Sequence, residues 1–338
     1  MLAIDLVGAD VLRPEGFSDT PLSIAGGVIV DTAAGRAVDL GGYRVLPGIV
    51  DVHGDGFERH VAPRRGAMKD MGEGLRAVAA ELAANGITTG VLAQFVSWEG
   101  GVRSLEFGDQ VFSAIRDLRG VVATDLRAQV RFEIAQIDLY ADFPARVAAW
   151  GADYVVFNDH LPHDRLAEGR KPPRLTGQAL KAGRNPEAHF RMLLDLHAKV
   201  GKAQAMLGPL CTALKDAGVR LGSHDDATAA MRGAWAARGA DIAEFPETLE
   251  AAEAAKAEGS LVVMGAPNLV RGGSHKGNVS GVDLVAMELC DALASDYHYP
   301  SPRRAALMLA RSGLRDFAGA WALVSSGPAA VLGLKDRG

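Results

Sequence analysis

The sequence has few cysteines and no long apolar run, and both shortages limit the class of protein it can be. Cys211 and Cys290 are the only cysteines and they form no CxxC pair, so a disulfide framework is not expected. No apolar run approaches the roughly 18 residues of a membrane span. The opening MLAIDLVGAD lacks the basic start of a signal peptide. We therefore expect a cytoplasmic protein without a membrane partner.

An excess of positive charge is also missing. The chain has 36 Lys and Arg against 41 Asp and Glu, a net charge of −5, and its pI is about 6.0. This balance argues against nucleic acid as a partner. The 338 residues, 48% of them hydrophobic, are enough for one large core or two modest domains.

From residue 48 onward, apolar strands alternate with amphipathic helices. A helix is predicted over residues 69–85, for example, because Leu75, Val78 and Leu82 recur with helical spacing. We count eight strands in this part of the chain, and eight is the number that closes a parallel barrel. The expected fold class is α/β, with a TIM-like (β/α)8 barrel over residues 48–320.

The regions outside this alternation have different patterns. Residues 1–47 contain short apolar segments separated by glycine turns, which predicts a small β-sandwich-like domain. The C-terminus is a candidate to supply further strands to this domain. Residues 321–338 are predicted to form a C-terminal helix and tail. Residues 161–185 are polar, basic and contain prolines, which predicts a long loop.

Side chains of the type that bind metals follow several of the predicted strands. His53 and Asp55 flank Gly54 at the end of the first barrel strand, and residues i and i+2 of a strand point to the same side. An imidazole and a carboxylate aimed at one point suit a divalent metal. The carboxyl ends of barrel strands meet at one face. We therefore predict a metal site there, formed by His53, Asp55, Glu133, His160, His224 and Asp296.

This arrangement resembles the amidohydrolase superfamily, whose barrels carry an HxH or HxD pair, a bridging Lys or Glu, two later histidines and a final aspartate. More closely, the sequence is similar to the phosphonate-pathway diphosphatases called PhnM. The similar segments are PGIVDVHGDGFERHVAPRRG, RFEI, NDHLP, SHDDAT, EFPETLEAA, VMGAPNLVRGGSHKGNVS and LASDYHYP. The resemblance implies a metal-dependent hydrolase that releases pyrophosphate from a ribose 5-triphosphate carrying a 1-phosphonate.

The chain also departs from the family pattern. It has HGDG at residues 53–56, where the family typically has HTDN, and the basic stretch after His160 stands where the family tends to have a compact turn. Glu133, His160 and His224 fall on the third, fourth and fifth predicted strands, whereas the superfamily uses the fourth, fifth and sixth. These departures bear on the substrate more than on metal binding.

The resemblance implies two divalent ions that share Glu133. His53 and Asp55 would hold one ion, and His160 and His224 the other. Zinc fits ligands rich in histidine, with manganese or iron as alternatives. A hydroxide between the ions would attack phosphorus.

Hydrolysis at phosphorus also needs a base and cations. Asp296 is predicted to be the general base that takes the proton of the attacking water. Arginine forks match phosphate oxygens, and glycine-rich loops can turn backbone N–H groups toward anions. The predicted substrate-binding residues are Arg59, His60, Arg271, His275 and Lys276.

Two alternatives to this function stay open. The same metal scaffold could hydrolyse a C–N bond in a cyclic amide or an N-acyl group, because a fold does not determine its substrate. The chain could also be an inactive paralogue with a binding role. In the main interpretation the partner is a small phosphorylated molecule, and whether the chain forms a homodimer stays open.

Overall fold

The computed structural model describes residues 3–63, 70–273 and 277–338. Short strands come first: β1 (Ala3–Val7), β2 (Asp10–Arg13), β3 (Gly16–Ser18), β4 (Leu22–Ala25), β5 (Val28–Val30), β6 (Arg36–Asp39) and β7 (Arg44–Val45). They form two small sheets with the strand orders β5-β4-β1-β6 and β3-β2-β7. The β structure predicted for this part of the chain is confirmed.

Eight parallel strands follow and pair in chain order. They are β8 (Ile49–Gly54), β9 (Ile87–Val96), β10 (Asp125–Glu133), β11 (Tyr154–Asn158), β12 (Arg220–His224), β13 (Ile242–Glu244), β14 (Leu261–Gly265) and β15 (Ala292–Ala294). A parallel bridge between Gly54 and Asp296 joins the last strand to the first. The Asp296 N–H donates to the His53 carbonyl, and the Asp55 N–H donates to the Asp296 carbonyl, both at 2.9 Å. The predicted barrel is confirmed, and three of the predicted metal ligands lie at its seam.

Helices cover the outside of the barrel and continue to the end of the chain. They are α1 (Glu58–Val61), α2 (Met71–Ala84), α3 (Leu105–Leu118), α4 (Phe143–Trp150), α5 (His163–Ala167), α6 (Leu175–Lys181), α7 (Pro186–Ala198), α8 (Val200–Asp216), α9 (Ala229–Ala237), α10 (Leu249–Ala257), α11 (Ala266–Arg271), α12 (Gly281–Ala286), α13 (Ser301–Arg311), α14 (Phe317–Ala322) and α15 (Ser326–Val331). In α2, the predicted apolar stripe of Leu75, Val78 and Leu82 is buried, and the Asp70 carboxylate caps the first turn by accepting the Gly72 N–H. Among the described residues, every helix is too short or too polar to span a bilayer.

The barrel interior is apolar toward the amino-terminal ends of the strands. Val50, Val91 and Ile242 form one buried cluster with Val331 of α15. Beyond α15, the Arg337 guanidinium donates to the Asp125 carboxylate at the start of β10 at 2.7 Å. The C-terminal residues therefore close the amino-terminal end of the barrel, and no strand after β15 joins either small sheet in the described part of the chain.

The prediction of a long loop over residues 161–185 is wrong, because this stretch contains α5 and α6. Leu166 and Leu175 are buried in a cluster with Trp98 and Leu193. The polar residues around these leucines hid the helices from a search for periodicity. Trp98 follows β9, whereas Leu193 belongs to α7 of the same connection between β11 and β12, so this small core joins the segment both to its own connection and to a neighbouring one.

Candidate metal centre

A cavity of about 300 Å³ opens at the carboxyl ends of the barrel strands. Four of the six predicted metal ligands line it, and these are Asp55, His160, His224 and Asp296. The other two, His53 and Glu133, are completely buried beneath it. Glu133 ends the third barrel strand, β10, and His224 ends the fifth, β12. The strand positions counted from the sequence are therefore confirmed.

His53 is held by a network that crosses the barrel. Its Nδ1 lies 2.8 Å from Oε2 of Glu244, the last residue of β13. The other Glu244 oxygen accepts hydrogen bonds from the Gln129 amide and the Tyr154 hydroxyl at 2.6 and 2.7 Å. Burial lowers the pKa of His53, but the Glu244 charge and hydrogen bond outweigh it, and the net shift is upward. Since Glu244 is an acceptor, it keeps a proton on Nδ1 and leaves Nε2 as the nitrogen that a metal could bind.

The Nε2 atom of His53 is buried and has no hydrogen-bond partner among the described residues. Ligand atoms of His53, Asp55 and Asp296 all lie within 4.8 Å of one another, and a second such group joins His53, His224 and Glu244. Because Glu244 already accepts three hydrogen bonds, we regard it as the partner that orients His53 rather than as a ligand. The unpartnered nitrogen and the two aspartates fit a divalent metal.

Asp296 combines an unusual backbone conformation with an altered acidity. Its φ angle is 54°, in the left-handed region that non-glycine residues rarely adopt. Asp225, directly after β12, and Phe245, directly after β13, have the same conformation. Burial, followed by the nearby charge of Asp55, raises the pKa of Asp296 to about 6. The backbone therefore turns sharply at three strand ends around the cavity, as is common at functional sites.

His224 lies between a cation and an acid, and the cation has the larger effect on its pKa. Nη2 of Arg131 donates to its Nε2 at 3.0 Å, and its Nδ1 lies 3.2 Å from an Asp225 carboxylate oxygen. Burial and the Arg131 charge lower the pKa of His224 to about 4, so the imidazole is neutral near pH 7. Arg131 also lies 3.5 Å from Asp55 Oδ2 and 3.9 Å from the Phe95 ring centroid.

Glu133 and His160 repeat the relation between Glu244 and His53. Glu133 accepts hydrogen bonds from Trp98 Nε1 at 3.2 Å and from the His160 backbone N–H at 3.1 Å, and also bonds Nδ1 of His160. Burial lowers the pKa of His160, but the hydrogen bond and charge of Glu133 have the larger combined effect. The net shift of the His160 pKa is therefore upward. A glutamate with three donors orients its histidine, which leaves it poorly placed to bridge two ions.

The structure separates the predicted substrate-binding residues. Arg271 lines the cavity, and its Nη1 donates to the Tyr297 hydroxyl at 3.1 Å. Arg59 and His60 both bond Glu81 of α2 instead, His60 at 2.6 Å, and neither lines the cavity. His275 and Lys276 lie outside the described residues.

Sequence reasoning missed three important residues. Glu244 ends a strand just as Glu133 does, so the same signal was available for it. Arg131 stands two residues before Glu133 in β10, a spacing that places both on one side of the strand. Arg103, which also lines the cavity, lies in a short helical turn after β9 and has no comparable signal.

The fold is a closed parallel barrel with imidazoles and carboxylates at the carboxyl ends of its strands, an arrangement that suits metal-dependent hydrolysis. Solved structures agree on the fold. A metal-dependent hydrolase from Pyrococcus horikoshii OT3 has a TM-score of 0.60 at 10% identity, covering 100% of this chain and 94% of that one. The dihydropyrimidinase from Brevibacillus agri has a TM-score of 0.54 at 12% identity, covering 99% and 82%.

No protein-family profile matches the chain, and the family is shown by a direct relative. The chain is 34% identical over 312 residues to the alpha-D-ribose 1-methylphosphonate 5-triphosphate diphosphatase of Escherichia coli strain K12, covering 90% of this chain and 82% of the relative. It therefore belongs to the PhnM family of diphosphatases. As a member of that family it is an enzyme, a hydrolase, and the resemblance seen in its motifs is confirmed.

Proposed function

We propose that this enzyme hydrolyses a phosphoanhydride in a ribose 5-triphosphate that carries a 1-phosphonate, releasing pyrophosphate in phosphonate catabolism. The observation that carries the proposal is the lining of the cavity. Metal-type ligands and three arginines, Arg103, Arg131 and Arg271, face the same space of about 300 Å³. An enzyme that hydrolyses neutral cyclic amides does not need three guanidinium groups in its site. An enzyme that binds a polyphosphate does need such cations.

The residues that would hold a divalent ion are His53, Asp55 and Asp296. A second ion, as predicted from the sequence, would require His160 and His224. Zinc is our proposal for the metal because imidazole is prominent among the ligands, with manganese or iron as alternatives. When bound, such an ion polarises phosphoryl oxygens and makes water more acidic.

The chain's own residues supply the remaining chemistry. The Asp296 carboxylate accepts the proton of the attacking water, acting as general base. The guanidinium groups of Arg103, Arg131 and Arg271 bind phosphoryl oxygens and counter the negative charge that develops on them. Glu244 and Glu133 keep His53 and His160 in fixed orientations, so the site needs little rearrangement during the reaction.

The location of the enzyme is part of the proposal. Cys211 and Cys290 are both buried and unpaired, which fits a reducing compartment. We propose the cytoplasm on that basis. The partner is the small phosphorylated substrate.

The direct test is phosphorus NMR of the purified, metal-loaded enzyme with a ribosyl 1-phosphonate 5-triphosphate. We expect the triphosphate signals to be replaced by those of pyrophosphate and a 5-monophosphate. Dihydrouracil and hydantoin serve as the comparison substrates and should remain intact. Ring opening of either one without triphosphate cleavage would support the C–N hydrolase alternative, and no turnover of any substrate would support an inactive paralogue.

A further inference from the structure

Arg131 places a permanent positive charge between two of the predicted metal ligands. Its Nη2 donates to Nε2 of His224 at 3.0 Å, and its Nη1 lies 3.5 Å from Oδ2 of Asp55. A guanidinium does not deprotonate in proteins, so this charge is present whenever the chain is folded. The contact with His224 occupies the imidazole nitrogen that a second ion would need.

The surroundings of Arg131 hold it in this position. It lies within β10, opposite Phe95 of β9 and Val156 of β11. Only 5% of the residue is exposed, and its guanidinium carbon lies 3.9 Å from the Phe95 ring centroid. Moving the side chain aside for an ion would break this cation–π contact and the bond to His224.

We infer that Arg131 takes the place of the second cation, so that the centre holds one divalent ion at His53, Asp55 and Asp296. Arg131 then binds the phosphoryl oxygens that a second ion would otherwise bind. Its Nε–H is buried and has no hydrogen-bond partner in the described parts of the chain, so at least one donor is left for such a ligand. A guanidinium also matches the spacing of phosphoryl oxygens.

The test is to count the ions that each chain holds. Full-length protein is stripped with a chelator, loaded with excess Zn²⁺, desalted and analysed for zinc per chain, and the series is repeated with Mn²⁺. We expect one ion in the wild type and two in Arg131→Met, which keeps an apolar stem against Phe95 but removes the charge. Arg103→Met is the matched control: its guanidinium lies 4.0 Å from the same ring but pairs with Glu99 at 2.7 Å. This control should stay at one ion.

Two ions in the wild type would overturn the inference, and so would a single ion in folded Arg131→Met. If that variant does not fold, the wild-type count still decides, and Arg131→Lys, which keeps the charge, should also hold one ion. The inference rests on the proposed function for the nature of the ligand, but the count is independent of the substrate. No bound ion at all would defeat the proposed function, whereas two ions would defeat only this inference.

The phosphoryl-binding role has a separate readout that involves no turnover. Inorganic pyrophosphate is titrated into metal-stripped wild type and metal-stripped Arg131→Met by calorimetry. Removing a charged donor should weaken binding by about tenfold. Equal affinities in the two proteins would show that Arg131 does not bind phosphoryl oxygens.

Discussion

At the amino-terminal end of the barrel, Val50, Val91 and Ile242 pack against Val331; at the carboxyl end, the same strands lead to a cavity lined by ionisable groups. The first end contributes packing free energy. The second buries Nε2 of His53 without a hydrogen-bond partner in the described residues, which costs stability until a ligand completes it. The contrast teaches that packing at one end of the barrel stabilises the fold, while the other end holds the reactive groups. Variants at one end should therefore change the free energy of unfolding, and variants at the other end should change metal binding or catalysis.

The largest effect is expected from Asp296→Asn at the polar end. Removing the general base should lower kcat by about 10²- to 10⁴-fold. The melting temperature of the metal-stripped protein should not fall, because a buried acid whose pKa is raised to about 6 loses little by becoming neutral. Steady-state kinetics on the metal-loaded variant and calorimetry on the metal-stripped variant check the two expectations. If Asp296→Asn kept full activity but had a lower melting temperature, the polar end would contribute to stability and not to catalysis, which contradicts the comparison.

Glu244→Gln should weaken metal binding by about 10- to 100-fold, because it disturbs the group that orients His53. Calorimetric titration of metal-stripped protein with Zn²⁺ measures this change. Glu133→Gln is the matched control in the other Glu–His pair. It should leave zinc affinity unchanged, since His160 is not among the ligands of the single ion. Equal losses in both variants would place His160 on the metal as well.

Val331→Ala tests the apolar end. Val331 is completely buried, and shortening it should lower the free energy of unfolding by about 2 kcal/mol. Zinc affinity and kcat should stay at their wild-type values. Val121 is 59% exposed, so Val121→Ala should change the stability by no more than about 0.5 kcal/mol. Denaturant unfolding measures both, and a loss of zinc affinity in Val331→Ala would mean that the two ends are coupled.

Within the polar end, Arg271 and Arg59 should behave differently. Arg271 lines the cavity, and Arg271→Ala should raise the KM for the triphosphate about tenfold through loss of a charged hydrogen bond. Arg59 pairs with Glu81 outside the cavity, so Arg59→Ala should leave KM unchanged. If KM rose in Arg59→Ala and not in Arg271→Ala, Arg59 would be the residue that binds the substrate.

Tyr154 is the point where the two ends meet, and its variant should have the smallest effect. The ring belongs to the apolar cluster with Val331, while its hydroxyl donates to Glu244 at 2.7 Å. Tyr154→Phe should cost about 1 kcal/mol in the free energy of unfolding and weaken zinc binding less than Glu244→Gln does. A larger loss of zinc affinity than in Glu244→Gln would contradict the proposed role of Glu244.

The sequence could predict those contacts that join residues close together in the chain, and it could not predict contacts between distant residues. His53 and Asp55 follow one strand two residues apart, so their convergence follows from strand geometry alone. The bond between His53 and Glu244 joins residues 191 positions apart, and it depends on which strands face each other across a closed barrel. The pairing of Arg59 with Glu81 likewise depends on how α1 packs on α2. For this reason the sequence located His53 and Asp55, but it missed Glu244 and assigned Arg59 to the substrate instead of to Glu81.

The central claim is that a divalent ion sits at the seam of the barrel, and anomalous diffraction tests it most directly. Crystals of the zinc-loaded enzyme would be measured on both sides of the zinc absorption edge. The account predicts one anomalous peak, at about 2.0–2.2 Å from His53 Nε2 and from oxygens of Asp55 and Asp296. An ordered protein with no peak there, or with its peak beside Glu133 instead, would contradict it.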